Sequence, residues 1–233
     1  LAVETPFYMR GVHFLSFIFP KSCVSCGRID FFSELLAVCK FCTKQNYLPQ
    51  KQYLKTNRLK HPSDRFVFYD QVLFLQKRGN FEKCLFQSLK FENERFLANY
   101  FCLGHRFLWN FLKNDPPDRI SLVPSSRKDG PRSYHSSYVL FTKWMQFWKI
   151  REDTSLRKVS VDKQSSQGYE KRFFHAKKAF EFIKSDRIIE GLHILIVDDI
   201  FTTGATVNEI ARLYKMAGAK KVTCVVLLLS GGD

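Results

Sequence analysis

His193 to Thr206 reads HILIVDDIFTTGAT, and this stretch, together with the segment to Leu229, decides the fold class. Leu192 to Val197 is an apolar run broken only by His193, the pattern of a parallel strand buried on both faces. After the turn, Val207, Ile210, Ala211 and Tyr214 stand at i, i+3, i+4 and i+7, the spacing of one helix face. Gly218 is placed to end that helix, and Val222 to Leu229 is a second buried strand. The sequence therefore predicts a β-loop-α-β unit of an α/β fold, with a hydroxyl-rich turn at the carboxyl end of its first strand.

Open α/β sheets bind ligands at such strand ends. A helix N-terminus there offers free N–H groups and a partial positive charge. Thr202, Thr203 and Thr206 add hydroxyl donors, Gly204 lets a ligand approach the backbone, and Ala205 opens the helix. Together they read as a phosphate cradle. It contains no lysine and no GxxxxGK[ST], so it is not a Walker loop. Asp198 and Asp199 precede it. Two carboxylates repel phosphate but suit ribose hydroxyls or Mg2+. Acids followed by a cradle match a ribose 5-phosphate, diol at one end and phosphate at the other. The competing reading is a plain helix cap, which needs only one such residue.

Outward from this unit, the N-terminal part carries Cys23, Cys26, Cys39 and Cys42, a C-x2-C pair repeated after twelve residues. Four thiolates at this spacing read as a structural zinc site with a closed shell. Two disulfides or a redox pair are the alternatives. Cys84, Cys102 and Cys224 sit in apolar contexts and read as core residues. Lys44 to Lys60 comes next, with five cations, no acid, and Tyr47 and Tyr53 interleaved. It reads as a single-strand nucleic-acid contact or as a solvated linker, and marks a boundary near residues 50–65.

Between these regions, residues 66–75 read as a strand or hairpin arm. Asn80 to Phe91 and Asn93 to Leu112 read as helices, the second broken by Pro116 and Pro117. Ile120 to Val123 reads as a short strand and Ser136 to Ile150 as a helix. Arg151 to Gly168 lacks periodicity and reads as a loop; Glu170 to Lys184 is basic and partly helical. The formal net charge is +15, with +8 over residues 113–187 and −1 over residues 188–233, so the positive charge lies outside the HILIVDDIFTTGAT unit. Such a balance suits polyanionic partners or a soluble basic surface. Met9 reads as a start, with residues 1–8 ahead of it. Val12 to Phe19 is too short for a bilayer span, which takes ~20 residues, and the expected location is the cytoplasm.

The HILIVDDIFTTGAT run resembles the fingerprint of type I phosphoribosyltransferases. With the four-cysteine motif, the chain resembles the ComF family, amidophosphoribosyltransferase-like proteins linked to bacterial DNA uptake. The resemblance runs from Met9 onward. Val123-Pro124-Ser125-Ser126-Arg127-Lys128 stands where that family has a proline-containing strand end followed by basic residues. Arg132-Ser133-Tyr134-His135-Ser136 stands for an RGFNQ-like segment and keeps its arginine and an aromatic. Gln164, Arg172, Ala179 and Phe180 fit a later pattern, with His175 where asparagine is usual.

The resemblance implies a phosphoribosyltransferase-like parallel sheet flanked by helices over residues 61–233. Residues 9–60 would be a zinc module and basic linker. It implies phosphoribosyl pyrophosphate or ribose 5-phosphate as ligand, held with Mg2+ by Asp198 and Asp199, the implied catalytic acids, and by Thr202 to Thr206. Arg127 and Lys128 would lie on the pyrophosphate side, and Arg157, Lys171 and Arg172 on a closing loop. The implied role is in DNA uptake and natural transformation, through single-stranded DNA or a DNA-translocation helicase. An active enzyme of nucleotide or base salvage is the alternative.

Overall fold

The computed structural model describes residues 20–46, 67–91, 96–124, 136–159, 176–183 and 188–230. Two compact units are present: Leu1–Leu48 with Cys84–Tyr100, and Pro49–Lys83 with Phe101–Asp233. The division falls within two helices, α3 (Asn80–Phe91) and α4 (Leu97–Cys102).

The first unit is organised by one carboxylate. Asp30 caps α1 (Phe31–Leu36), accepting the Ser33 N–H at 2.8 Å, while the Ser33 hydroxyl accepts the Asp30 N–H at 2.9 Å. Its other oxygen accepts the Lys40 N–H at 2.8 Å, at the start of α2 (Lys40–Asn46). A single side chain thus satisfies donors at two helix N-termini and fixes the second cysteine pair relative to the first.

The second unit is built on a five-stranded sheet. Its strands are β1 (Gln71–Lys77), β2 (Arg119–Leu122), β3 (Arg151–Asp153), β6 (His193–Phe201) and β7 (Lys221–Leu229), in the order β1-β7-β6-β2-β3. Every pairing is parallel. The centre, β6 and β7, is buried almost throughout, as their apolar runs require. A separate antiparallel hairpin joins β4 (Leu156–Lys158) to β5 (Phe180–Phe182). Helix α7 (Ala205–Met216) packs Val207, Ile210, Ala211 and Tyr214 onto one side of the sheet with the hairpin's Leu156 and Phe180. Helix α6 (Ser136–Trp148) packs on β2 and β6, and none of its residues joins that cluster. The parallel sheet is flanked by helices, as expected.

Several local expectations change. Residues 66–75 contribute a parallel edge strand, starting at Gln71, rather than a hairpin arm. Asp70 holds that edge: its carboxylate accepts the Val222 N–H at 2.7 Å and pairs with Lys215 at 2.8 Å. The helix expected over Asn93 to Leu112 is interrupted at Gly104, where α4 gives way to α5 (His105–Leu112). A side chain at Gly104 would collide with the methyls of Leu75. Arg151 to Gly168 is not simply a loop, since β3 and β4 lie within it. Strands of three residues are too short to show periodicity, and their partners lie elsewhere in the chain. Among the described residues no helix is long and apolar enough to cross a membrane.

Candidate functional site

The strand order contains a reversal. From β2 the chain moves through α6 to β3 on one side; from β6 it moves through α7 to β7 on the other. The two crossovers diverge between β2 and β6, which makes the carboxyl ends of these strands the switch point where α/β sheets take ligands. Leu122 pairs with Val197, and the Val123 N–H reaches the Val197 carbonyl at 3.2 Å. The Val123-Pro124 strand end therefore lies beside Asp198.

The acids are part of the strand and not of the turn. β6 continues through Asp198, Asp199, Ile200 and Phe201, so the loop proper is Thr202-Thr203-Gly204. Strand alternation puts Asp198 on the side of Ile194 and Ile196, the side of α7 and the hairpin. Asp199 follows Leu195 and Val197 to the other side. Burial first, and then the Asp198 charge, push the Cys224 thiol well up, which agrees with Asp198 facing that cluster. Both carboxylates are half-buried, and Asp198 also accepts the Asp199 N–H at 2.9 Å. They offer hard oxygen donors at a strand end, a set that fits Mg2+ or sugar hydroxyls.

Gly204 forms the corner of the loop. Its φ is +75°, in the left-handed region, and a Cβ there would overlap the Phe201 ring. No side chain caps α7 from this position; the nearest substitute is Thr203, whose hydroxyl lies 3.4 Å from the Ala205 nitrogen. Thr202 is exposed, Thr203 and Thr206 are half-buried, and Ala205 is buried. Asn208, one turn into the helix, uses its carbonyl oxygen to accept the Phe68 N–H at 2.9 Å. This anchor was not legible in the sequence, because its partner is a backbone group 140 residues away.

The cations divide differently from expectation. Arg127, Lys128, Lys171 and Arg172 lie outside the described residues, as do Arg132 to His135, Gln164 and His175. Arg157 pairs with Glu181, directly across the hairpin, on its exposed side. Its neighbour Lys158 alternates onto the side of buried Leu156. There the Lys158 ammonium lies 5.8 Å from the Phe180 ring centroid. Burial lowers the Lys158 pKa and the nearby Asp198 carboxylate raises it. Nothing in the sequence distinguishes Lys158 from Arg157; only the hairpin register does. His193, by contrast, sits at the far end of β6, where its Nε2 is 2.8 Å from the Thr223 hydroxyl. It is a buried histidine partnered through Nε2, with Nδ1 3.7 Å from an Asp115 carboxylate oxygen and its pKa lowered chiefly by burial.

In the cysteine unit the four sulfurs of Cys23, Cys26, Cys39 and Cys42 lie within 4.8 Å of one another. Cys26 and Cys39 Sγ are 3.6 Å apart, close to the ~3.8 Å separation of a tetrahedral zinc–thiolate shell. Gly27, at φ +74°, closes the first turn, and its N–H reaches the Cys23 carbonyl at 2.8 Å. The Arg28 backbone holds the Cys26 thiol down to about 7, whereas burial pushes Cys42 up to about 12. Gathering four such groups as thiolates requires a cation among them, so the cluster could hold zinc. A cleft of about 660 Å3 opens beside it, lined in part by Lys21, Ser22, Cys23, Gln87 and Ser88.

Residues 152–233 match the phosphoribosyl transferase domain family. The chain is 36% identical over 111 residues to the DNA utilization protein YhgH of Salmonella typhi, covering 46% of this chain and 47% of that protein. It is 34% identical over the same length to YhgH of Escherichia coli K12. The chain spans about half the length of the curated relatives it matches. The crystal structure of a purine phosphoribosyltransferase from Pyrococcus horikoshii is similar at a TM-score of 0.37 and 16% identity, covering 54% of this chain and 70% of that one. The chain carries a phosphoribosyl transferase domain. It is homologous to the DNA utilization proteins, as the ComF resemblance implies.

This phosphoribosyl transferase loop depends on Gly204. Gly204→Ala should lower the unfolding free energy by about 1–2 kcal/mol from the backbone alone, and more where Phe201 is displaced. Thr202→Ala, at an exposed position, should stay within about 0.5 kcal/mol. Urea denaturation of both variants checks this; equal stability of the two would refute the corner role of Gly204.

Proposed function

We propose that the β6 loop binds phosphoribosyl pyrophosphate, or ribose 5-phosphate, with Mg2+, and that the protein acts in DNA uptake by contacting single-stranded DNA or its translocation machinery. The observation that carries the ligand half is the placement of Asp198, Asp199 and Thr202 to Thr206 at the switch point of a parallel sheet. The 5-phosphate lies on the Thr202–Thr206 corner, where the α7 N-terminus and threonine hydroxyls donate. Asp198 and Asp199 accept from the ribose hydroxyls and are the residues that would hold Mg2+. When bound, that ion neutralises the charge of the pyrophosphate. Arg127 and Lys128 are assigned to the pyrophosphate side on the strength of the ComF resemblance.

The DNA half is supported by the relatives' designation as DNA utilization proteins and by a net charge of +15. The division into a zinc module and basic linker over 9–60 and a phosphoribosyltransferase-like domain over 61–233 belongs to the same reading. Zinc at Cys23, Cys26, Cys39 and Cys42 is structural in it, because four protein thiolates leave no open coordination position.

Calorimetry with phosphoribosyl pyrophosphate and Mg2+ should show saturable binding, weakened by about tenfold or more, ~1.4 kcal/mol, in the Asp198→Asn/Asp199→Asn variant. Unchanged affinity in that variant overturns the site assignment, and pyrophosphate release on adding bases would identify a working transferase. Anisotropy with labelled single-stranded DNA should show affinity falling steeply with salt, log K dropping by roughly 0.7 per phosphate contact for each tenfold rise. An absence of binding at low salt removes the DNA half. Elemental analysis of reduced protein should find zinc near one per chain, lost on Cys39→Ser with Cys42→Ser; metal-free protein from zinc-supplemented growth refutes the zinc module.

A further inference from the structure

Helix α5 presents a different chemistry on each of its sides, because residues four apart lie one above the other. Gly104, Leu108 and Leu112 form the buried side. Next round the helix, His105 and Trp109 meet α6. His105 stacks on Phe147 at a centroid distance of 4.3 Å, and Trp109 on Trp148 at 5.7 Å. Opposite the buried side, Arg106 and Asn110 are exposed, and exposed Lys113 follows at the helix end. The remaining side carries Phe107 and Phe111, 36% and 41% exposed. Phe147 is 51% exposed in spite of its stack. The stack is held from behind, since the His105 Nδ1 lies 2.7 Å from the Cys102 carbonyl. Exposed rings thus flank a row that carries Arg106 and Lys113.

We propose that the exposed side of α5, with Phe147 of α6, is a binding surface for single-stranded DNA: bases stack on Phe107, Phe111 and Phe147, and phosphates pair with Arg106 and Lys113. The proposal rests on the DNA half of the reading above and gives it a place in the fold. Single strands are held by rings that accept any base face and by cations that follow the backbone. Scattered exposed apolar side chains are ordinary, but rings one turn apart beside a cationic row supply both elements together. The charge on this surface has one sign. Residues 95–114 and 130–151 contain no acid, and Asp115, the acid next along the chain, pairs with Lys221. Among the described residues no carboxylate pairs with Arg106 or Lys113. A polyanion complements such a surface. A second copy of this chain does not, because an α5-to-α5 contact would set cation against cation with no acid on either helix. An apolar partner helix fits no better, since Arg106 and Asn110 divide the rings into two rows.

The test is fluorescence anisotropy on the full chain with labelled single-stranded oligodeoxythymidylate across a salt series. The proteins are wild type, Phe107→Leu/Phe111→Leu, Phe107→Tyr/Phe111→Tyr and Arg106→Gln. Leucine keeps an apolar side chain and removes the ring; tyrosine keeps the ring. The leucine variant should bind about tenfold or more weakly, through lost stacking, with its salt slope unchanged. The tyrosine variant should bind as wild type does. Arg106→Gln should flatten the slope of log K against log salt by about 0.7, one single-strand phosphate contact. Leucine-variant affinity equal to wild type, or equal losses in the leucine and tyrosine variants, overturns this surface and leaves the DNA reading standing. An unchanged slope in Arg106→Gln does the same. Self-association of wild type that the leucine variant abolishes, at unchanged DNA affinity, assigns the face to a second copy instead. A wild type that binds no DNA at low salt overturns the DNA reading and this proposal together.

Discussion

The pairing of β6 with β2 is the constraint on which the rest of the second unit depends. It sets the strand reversal and brings the end of β2 beside Val197. The far end is clamped: Asp118 accepts the His193 N–H at 2.7 Å and its own N–H reaches the His193 carbonyl at 2.8 Å. With the amino end tied down and the centre buried on both sides, β6 delivers Asp198 to a fixed height. Helix α7 is held separately. Asp70 pairs with Lys215 near its C-terminal end, Asn208 grips the Phe68 backbone, and Tyr214 donates to buried Asp153 at 2.9 Å. These three contacts come from two different parts of the chain, the segment just before β1 and the end of β3, and together they fix the helix.

How much of this was legible in the sequence depends on the length of each element. β6, α7 and β7 were readable because each is long enough for its burial pattern to repeat. The cysteine cluster was readable because its spacing alone limits the geometry. β3, β4 and β5 were not, because three residues carry no period and their stability comes from β2 and from each other. The extent of β6 was also missed. Two aspartates look like a turn, yet Asp198 and Ile200 keep pairing with Val226 and Leu228 on a neighbour already buried. Tertiary pairing overrode local preference there.

The cysteine unit shows the same economy at smaller scale. α1 and α2 have 6 and 7 residues, too short to be stable helices alone. Asp30 compensates by capping both, and Val24 ties the first cysteine turn to the end of α1 through a 3.0 Å bond to Ala37. Ala37 takes a φ of 57° to make that bond possible. The sulfurs are therefore gathered by backbone geometry into a cluster that could hold zinc.

Charge is distributed unevenly between the β6 unit and the segment before it. Residues 188–233 carry the acids and a net charge of −1, whereas residues 113–187 carry +8. The positive charge of the chain therefore lies outside the unit that carries the paired acids. The hairpin of that segment buries Leu156 and Phe180 in the same cluster as α7 and leaves Arg157 paired with Glu181 on its exposed side. Had Arg157 and Lys158 exchanged places, composition and net charge would be identical and the cation on the side of Leu156 would be an arginine. A guanidinium forks onto a carboxylate through two parallel bonds, whereas an ammonium is a single rotatable point charge. The register of a three-residue strand thus decides which of two adjacent cations shares the side of Leu156, where composition and net charge cannot.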